Sequence, residues 1–234
     1  MVRMADEIVD TFDGSAREKE ALLTEFQASI DKGLETGYSP NPMLHAFIRT
    51  AQQFTIDHSL IDPFFASMRM DLAPFTATPK AYETYIFGSA EVIGLMCLKV
   101  FVAGNREQYH ELRSGAQALG SAYQKVNFLR DLTSDYIDRG RMYFPGVQYD
   151  TMHEDDKNTI ITDIENDFSI AKTAIPKLPG GAQLAVQSSY EIYHKLLTQL
   201  RTTSIEDIKS ERVRVPNYQK LLYIAVAATK GMRS

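Results

Sequence analysis

Apolar residues recur at intervals of three and four along most of this chain, whereas strict alternation of apolar and polar residues is scarce. An α-helix has about 3.6 residues per turn, so this spacing places apolar side chains on one face of a helix. The sequence therefore predicts a mainly helical protein. The predicted helices cover residues of about 1–12, 15–36, 41–70 with a break near Pro63, 79–103, 105–137, 155–174, 180–203 and 216–232.

Short segments rich in glycine, proline, asparagine and serine separate these helices, among them "GYSPNP" (37–42) and "RGRMYFPG" (139–146). Such residues favour turns and end helices. None of these segments is long enough for an interdomain linker, and 234 residues fit one domain. We predict a single domain over residues 1–234.

Composition excludes several classes of protein. The net charge of −5 argues against the broad basic surface that nucleic-acid binding requires. The single cysteine, Cys97, cannot form an internal disulfide, fits a reducing cytoplasm, and is predicted to pack as a small apolar residue. The apolar stretch 92–104 contains Lys99 and is shorter than the roughly 20 residues of a membrane span, and the N-terminus has no apolar signal core. We expect a cytoplasmic protein.

The segment "NFLRDLTSD" (127–135) places two aspartates four residues apart, directly after an arginine. On a continuous helix, one face would carry two amides and two carboxylates within an arc of about 80°. Those side chains are Gln124, Asn127, Asp131 and Asp135. A face of this kind either contacts solvent or lines a cavity.

A second acidic pair, Asp6 and Asp10, repeats the spacing near the start of the chain, one turn after Arg3. Like charges one turn apart repel by a few tenths of a kcal/mol, and a divalent cation would remove that cost. Mg²⁺ prefers oxygen ligands and is commonly bound by carboxylates together with substrate phosphates. The pattern favours a magnesium site, with Mn²⁺ as an alternative, at which Arg3 and Arg130 could contact a diphosphate.

A third pattern lies in "YETYIFGSAEVIGLM" (82–96), where Tyr85, Gly88, Ser89 and Val92 share a face that is nearly bare at its centre. This face admits either a ligand or a closely packed helix. Glu91 would point away from it. No zinc-ligand spacing, no GxSxG elbow and no GxGxxG or phosphate-binding glycine motif occurs, so the sequence gives no support for zinc, acyl-transfer or nicotinamide chemistry.

Taken together, these motifs resemble the squalene and phytoene synthase family, which joins two isoprenyl diphosphates head to head. "VRMADEIVD" resembles the first aspartate-rich motif of the family, and "YQKVNFLRDLTSDYIDRGRMYFP" resembles its second motif and signature region. "YHKLLTQL" and "ERVRVPNYQKL" are similar to the closing helices. The resemblance implies an all-α helical bundle of the isoprenoid synthase type with a central cavity.

The resemblance also implies roles for individual residues. Mg²⁺ bridging to diphosphate would be bound by Asp6, Asp10, Asp131 and Asp135. Phosphate oxygens would be contacted by Arg3, Arg130, Arg212 and Lys220. The isoprenoid pocket would be lined by Tyr85, Ser89, Ala90, Gln124, Asn127 and Tyr193. For Tyr193, Arg212 and Lys220, an ordinary surface or packing role stays open because their local motifs are weaker.

The reaction implied is the magnesium-dependent condensation of two geranylgeranyl diphosphates to phytoene, through a cyclopropyl (prephytoene) diphosphate, in carotenoid biosynthesis. A squalene or dehydrosqualene synthase acting on farnesyl diphosphate is the alternative, as is a non-catalytic family member that serves as an assembly module. Family members carry several tens of residues before the first motif, whereas only two precede Arg3 here. In the family this preceding segment contributes to substrate binding. We therefore expect a fragment, a misplaced start, or a protein that works without that wall of the pocket. Because the substrates are apolar, any membrane contact would be peripheral.

Overall fold

The computed structural model describes residues 1–73, 77–210, 212–214 and 216. Every regular element within them is helical, which confirms the prediction of an all-α protein. The helices are α1 (Val2–Asp6), α2 (Ala16–Thr36), α3 (Pro42–Phe54), α4 (His58–Met70), α5 (Pro79–Ile86), α6 (Val92–Phe101), α7 (Arg106–Arg130), α8 (Leu132–Arg139), α9 (Glu154–Ala174), α10 (Gly180–Thr202) and α11 (Ile205–Ser210). The predicted helix 216–232 and the predicted phosphate ligand Lys220 lie outside the described residues.

Side-chain caps fix where several helices begin. Ser15 forms a capping box at the start of α2, because its hydroxyl accepts from the backbone N–H of Glu18 while the Glu18 carboxylate accepts from the backbone N–H of Ser15. The Asn41 side chain accepts from the first turn of α3, where Pro42 occupies the first helical position. These caps satisfy backbone donors that would otherwise lack partners.

Two predicted helices are divided, one of them away from the break predicted near Pro63 and the other where no break was predicted. The predicted helix 41–70 ends at Thr55, which has a positive φ of 56°, and resumes after Asp57, whose carboxylate caps α4. Pro63 lies inside α4, so the predicted break there is wrong. The predicted helix 105–137 breaks at Asp131, which separates α7 from α8 with φ of −99° and ψ of 11°. The continuous polar face predicted across Asp131 is therefore interrupted.

Two single turns of π-helix interrupt the regular α-helical hydrogen bonding. The first, Glu7–Thr11, follows α1 and contains Asp10; the backbone N–H of Phe12 donates to the Glu7 carbonyl oxygen at 2.9 Å. The second, Phe87–Glu91, joins α5 to α6 and contains Ser89 and Ala90. Single π-turns often occur at functional sites because they redirect the side chains that they carry. Both turns here fall on motifs that the sequence singled out.

The apolar core is divided into two large clusters of buried side chains and a small third one of Leu98, Val102 and Leu112. One large cluster lies among α1 to α4 and α6 and includes Phe64 and Phe65, and the other lies among α5 and α7 to α11 and includes Leu129 and Phe168. The continuous helix 79–101, formed by α5, the second π-turn and α6, stands between them and packs against α4 and α7.

Among the described residues, the helix 79–101 is the one segment long and apolar enough to pass a length-and-composition test for a membrane span. This helix is longer than the apolar stretch 92–104, whose shortness was the reason to predict no membrane span. Within its most apolar window, 44% is buried in the protein. A core helix of a bundle passes the same test, and the contacts of this helix with α4 and α7 place it in the bundle.

Candidate active site

A cavity of about 650 Å³ lies between α6, α7, α9 and α10. Its walls are mainly apolar, with several glycines and alanines that keep the helices close without filling the space. From Leu112 to Asn127, both of which line it, α7 rises by about 22 Å. The cavity is thus elongated along α7, a shape suited to a linear apolar ligand.

The polar side chains of the cavity gather at the end of α7 that precedes the second acidic pair. Gln124 and Asn127 line the cavity there, and Asp131 follows one turn later. The Asn127 side-chain oxygen is buried and has no hydrogen-bond partner among the residues that the structure describes. A buried acceptor without a partner is costly, so this end of the cavity is suited to a ligand that donates a hydrogen bond or carries positive charge.

Two stacked tyrosines line the cavity near these amides. The rings of Tyr123 and Tyr193 lie 4.0 Å apart between centroids, with an interplanar angle of 22°. Burial raises the pKa of Tyr123 above its usual value, so this phenol stays neutral. The faces of neutral aromatic rings attract positive charge.

Arginines contact both carboxylates of the second acidic pair, Asp131 and Asp135. The Arg130 guanidinium donates from Nε to Asp131 Oδ1 at 3.0 Å and from Nη2 to Oδ2 at 2.5 Å. Arg212, which follows α11, reaches the same carboxylate from Nε at 2.6 Å and from Nη2 at 3.0 Å. Asp135 accepts from Arg139 Nη1 at 2.8 Å. Burial raises the pKa of Asp135, an effect that Arg139 opposes.

The first acidic pair lies close to the second. Arg139 Nη2 is 3.7 Å from Asp10 Oδ2, so one guanidinium contacts a carboxylate of each pair. Burial, followed by the charge of Asp10, raises the pKa of Asp6. The structure therefore brings both predicted acidic motifs to one end of the bundle, and Arg139, which the sequence reasoning missed as a site residue, joins them.

A buried carboxylate that the sequence did not indicate anchors the "RGRMYFP" segment. Asp71, at the end of α4, accepts from Tyr85 Oη at 2.8 Å and Tyr143 Oη at 3.3 Å, and it pairs with Arg141 Nη1 at 3.3 Å. Burial raises the pKa of Asp71 to about 6. Phe128 stacks on Tyr143 with ring centroids 3.9 Å apart. The segment that follows α8 is thus fixed to α4, α5 and α7, which positions Arg139 beside the acidic pairs.

A family pattern described as squalene/phytoene synthase matches residues 1–219 of this chain. The chain belongs to the squalene/phytoene synthase family. Its sequence is 25% identical over 250 residues to phytoene synthase 3, chloroplastic, of Zea mays, covering 98% of this chain and 57% of that protein. It is 29% identical over 150 residues to the phytoene synthase of Mycobacterium bovis, covering 62% of this chain and 46% of that protein. The chain thus spans about half the length of these relatives.

A crystal structure of a dehydrosqualene synthase in complex with a ligand superposes with a TM-score of 0.79 at 20% identity. The superposition covers 100% of this chain and 84% of that chain. This likeness shows a shared fold, that of the isoprenoid synthases, as the sequence resemblance predicted.

The family implies a divalent metal, and the donors present fit one chemically. Two pairs of carboxylates and the partnerless Asn127 oxygen supply hard oxygen ligands, which Mg²⁺ prefers. Across the described part of the chain, however, no three acidic, histidine or cysteine side chains converge on one point, and arginine nitrogens contact Asp10, Asp131 and Asp135. The carboxylate and amide oxygens are therefore suitable ligands for Mg²⁺, whereas the contacts that fix the carboxylate positions are with arginines.

Most predicted pocket residues of this squalene/phytoene synthase family member line the cavity: Ser89, Ala90, Gln124, Asn127 and Tyr193. Tyr85 is an exception, because it is buried in the core, where it contacts Asp71 and Tyr143. Arg3 is largely exposed and pairs with Glu7 on α1 and the π-turn that follows it. Glu91, predicted to point outward, is half-buried and accepts from Gln117.

Cys97 does not pack as a small core residue. It lies on the cavity wall, exposed to the open space, and burial by the surrounding protein raises the pKa of its thiol. The small residues in 82–96 were the sequence signal for this wall. The wall continues along α6 beyond the predicted residues and includes Cys97.

Proposed function

We propose that this protein condenses two geranylgeranyl diphosphates head to head to phytoene, through the cyclopropyl (prephytoene) diphosphate, as a step of carotenoid biosynthesis. The observation that carries the proposal is a long apolar cavity whose polar end lies next to two acidic pairs and their arginines. Similarity to phytoene synthases supports the same reaction. Isoprenyl diphosphates have the matching form, with an apolar chain and a negatively charged diphosphate head.

Cavity length favours the twenty-carbon substrate. An extended twenty-carbon isoprenyl chain is about 19 Å long and a fifteen-carbon chain about 14 Å, given carbon–carbon bonds of about 1.5 Å. The cavity follows α7 for about 22 Å, from Asn127 to Leu112. The longer chain would fill this length, and the shorter one would leave its far end empty.

The chain's own residues would supply orientation, charge and the exclusion of water. Arg130 and Arg212 lie at the head-group end, where their planar donor forks match phosphate oxygens. Asp6, Asp10, Asp131 and Asp135 would hold Mg²⁺, and the chemistry that the ion would supply is neutralisation of negative charge on the diphosphate. Tyr123 and Tyr193 would present aromatic faces to the allylic cation, and the apolar walls would keep water from it.

The test is product identification. The protein is incubated with Mg²⁺ and either geranylgeranyl or farnesyl diphosphate, with and without NADPH, and the hydrocarbons are identified by mass spectrometry. Phytoene from the twenty-carbon substrate is the expected product. Squalene or dehydrosqualene would identify the fifteen-carbon alternative. Neither hydrocarbon nor diphosphate release from either substrate would overturn the proposal and leave the non-catalytic assembly role.

Asp131→Asn provides a specific control on the site. Loss of this carboxylate should lower turnover by about 100-fold or more, because charge stabilisation at the leaving group is lost. The fold should persist, since the Asp131 side chain makes no capping hydrogen bond to α8. Asp155→Asn, which changes an exposed carboxylate in the first turn of α9, should leave turnover unchanged. Equal turnover in Asp131→Asn and wild type would disprove the role of Asp131.

A further inference from the structure

Arg139 occupies the space between the two acidic pairs. Its Nη1 contacts Asp135 Oδ1 at 2.8 Å, and its Nη2 lies 3.7 Å from Asp10 Oδ2. Asp10 belongs to the first π-turn and Asp135 to α8, so a single guanidinium joins two elements that are far apart in the sequence. No sequence motif assigned Arg139 a role in the site.

The remaining arginines near the second pair make the same kind of contact. Arg130 and Arg212 each contact both carboxylate oxygens of Asp131. Three of the four predicted metal-binding carboxylates, those of Asp10, Asp131 and Asp135, therefore contact arginine. Charges that would attract a diphosphate and charges that would attract a metal ion neutralise one another in this structure.

We propose that Arg139 is a built-in counter-ion which bridges the acidic pairs when no diphosphate is present and moves to the diphosphate when a divalent cation takes its place. The inference rests on the proposed function and adds a positioning residue and a binding order to it. Arg139 can leave without disturbing the core, because 41% of its side chain is exposed. The ion pair between Asp71 and Arg141 keeps the segment after α8 in place while the Arg139 side chain moves.

Coupling between the two ligands follows from this exchange of partners. A metal ion alone must displace Arg139 and leave its charge without a partner, so it binds weakly. A diphosphate gives Arg139 a new partner and so favours metal binding, and by linkage the metal favours diphosphate to the same degree. Wild-type protein should therefore bind the two ligands with strong positive coupling.

Removal of the charge should change the two affinities in opposite directions. Arg139→Gln should bind Mn²⁺ alone about tenfold more tightly than wild type, because its competitor is gone, and should bind inorganic diphosphate about tenfold more weakly. A residue with only a structural role would weaken both. Arg139→Lys keeps the charge but loses the fork that spans both carboxylates, and should give an intermediate affinity for Mn²⁺.

The experiment measures free Mn²⁺ by electron paramagnetic resonance, with and without inorganic diphosphate. A titration without protein corrects for the complex that Mn²⁺ forms with diphosphate in solution. Arg49→Gln, the same charge change on the exposed face of α3, is the matched control and should bind as wild type does. Thermal unfolding followed by circular dichroism checks that each variant is folded.

The outcomes separate the two proposals. If wild type binds Mn²⁺ with diphosphate but Arg139→Gln binds Mn²⁺ alone no more tightly than wild type, the counter-ion role is overturned while the metal site stands. If Arg139→Lys binds Mn²⁺ alone as tightly as Arg139→Gln, the bridging charge is not the competitor, and the role is likewise overturned. If wild type fails to bind Mn²⁺ even with diphosphate, the metal-dependent function fails, and this inference fails with it.

Discussion

At the scale of single residues, the least expected feature is the buried carboxylate Asp71. It accepts hydrogen bonds from Tyr85 and Tyr143 and pairs with Arg141, and its side chain is 7% exposed. Burial raises the pKa of Asp71 to about 6 in spite of these partners. The folded protein therefore holds this proton at a pH where the unfolded chain releases it.

This pKa difference predicts a pH dependence of stability. A carboxyl group with a raised pKa in the folded state stabilises the fold below its unfolded value of about 3.8, and this contribution is lost as pH rises through about 6. Between pH 7 and pH 5, wild type should gain about 1 kcal/mol of unfolding free energy relative to Asp71→Asn, which cannot titrate.

Urea unfolding of both proteins at pH 7, 6 and 5 measures this difference. Asp57→Asn is a contrasting control, because a hydrogen bond from Ser59 lowers the pKa of Asp57 and the relative gain on acidification should be absent. Parallel stability profiles for wild type and Asp71→Asn would show that Asp71 is already ionised throughout this range.

At the scale of secondary-structure elements, periodicity was sufficient to locate most helices, whereas the positions of the two breaks within them were not predicted. The backbone turns at Asp131, whose carboxylate pairs with Arg212, 81 residues later in the chain. No local pattern encodes that pairing. The other break is local, because the Asp57 carboxylate caps α4, whereas Pro63, the helix-breaking residue on which the prediction relied, lies inside that helix.

The same limit applies to the site. The acidic pairs and the small-residue face could be predicted because their residue types and spacing carry the signal locally. Arg139 and Asp71 could not, because each acquires its role from partners on other elements: Asp10 for Arg139, and Tyr143 and Arg141 for Asp71. Tyr85 was selected from a helical face but belongs to the same buried network.

Glycines set the approach of the helix 79–101 to α7. A Cβ atom on Gly120 would lie 2.6 Å from the Ala90 carbonyl oxygen, and one on Gly94 would lie 2.5 Å from the Ala116 carbonyl oxygen. Both distances are shorter than van der Waals contact, and in each case the obstacle is backbone, which cannot rotate away. The two helices therefore touch where they form the cavity wall.

Gly120→Ala should consequently destabilise the protein by about 1–3 kcal/mol, because overpacking outweighs the higher helix propensity of alanine. Gly181→Ala is the matched control: a Cβ there meets open space in the first turn of α10, so the change should be neutral or stabilising by up to about 1 kcal/mol. Chemical denaturation compares them. Equal stability of the two variants would mean that the helices separate easily at Gly120.

At the scale of the whole molecule, the cavity is bordered by all three apolar clusters of the core. Its walls come from α6, α7, α9 and α10, so no single helix determines its volume. Side chains that line the cavity but belong to none of these clusters can be enlarged without disturbing the core. Ala185 on α10 is one of these, and it lies two turns before Tyr193, toward the apolar end.

Ala185→Phe should therefore shorten the cavity and change substrate preference. The ratio of kcat/KM for geranylgeranyl diphosphate to that for farnesyl diphosphate should fall by about tenfold or more, because the longer chain loses its space. Ala28→Phe, on the exposed face of α2 away from the cavity, is the control and should leave the ratio unchanged. An unchanged ratio in Ala185→Phe would place the end of the bound chain elsewhere.

The position of Cys97 has one more consequence. It is the sole thiol of the chain, and it opens into the cavity between Gly94 and Phe101 on α6. Any probe coupled to sulfur is therefore delivered to a single known place on the inner wall, without engineered cysteines or removal of others. A spectroscopic label at Cys97 would therefore report whether a ligand occupies the cavity.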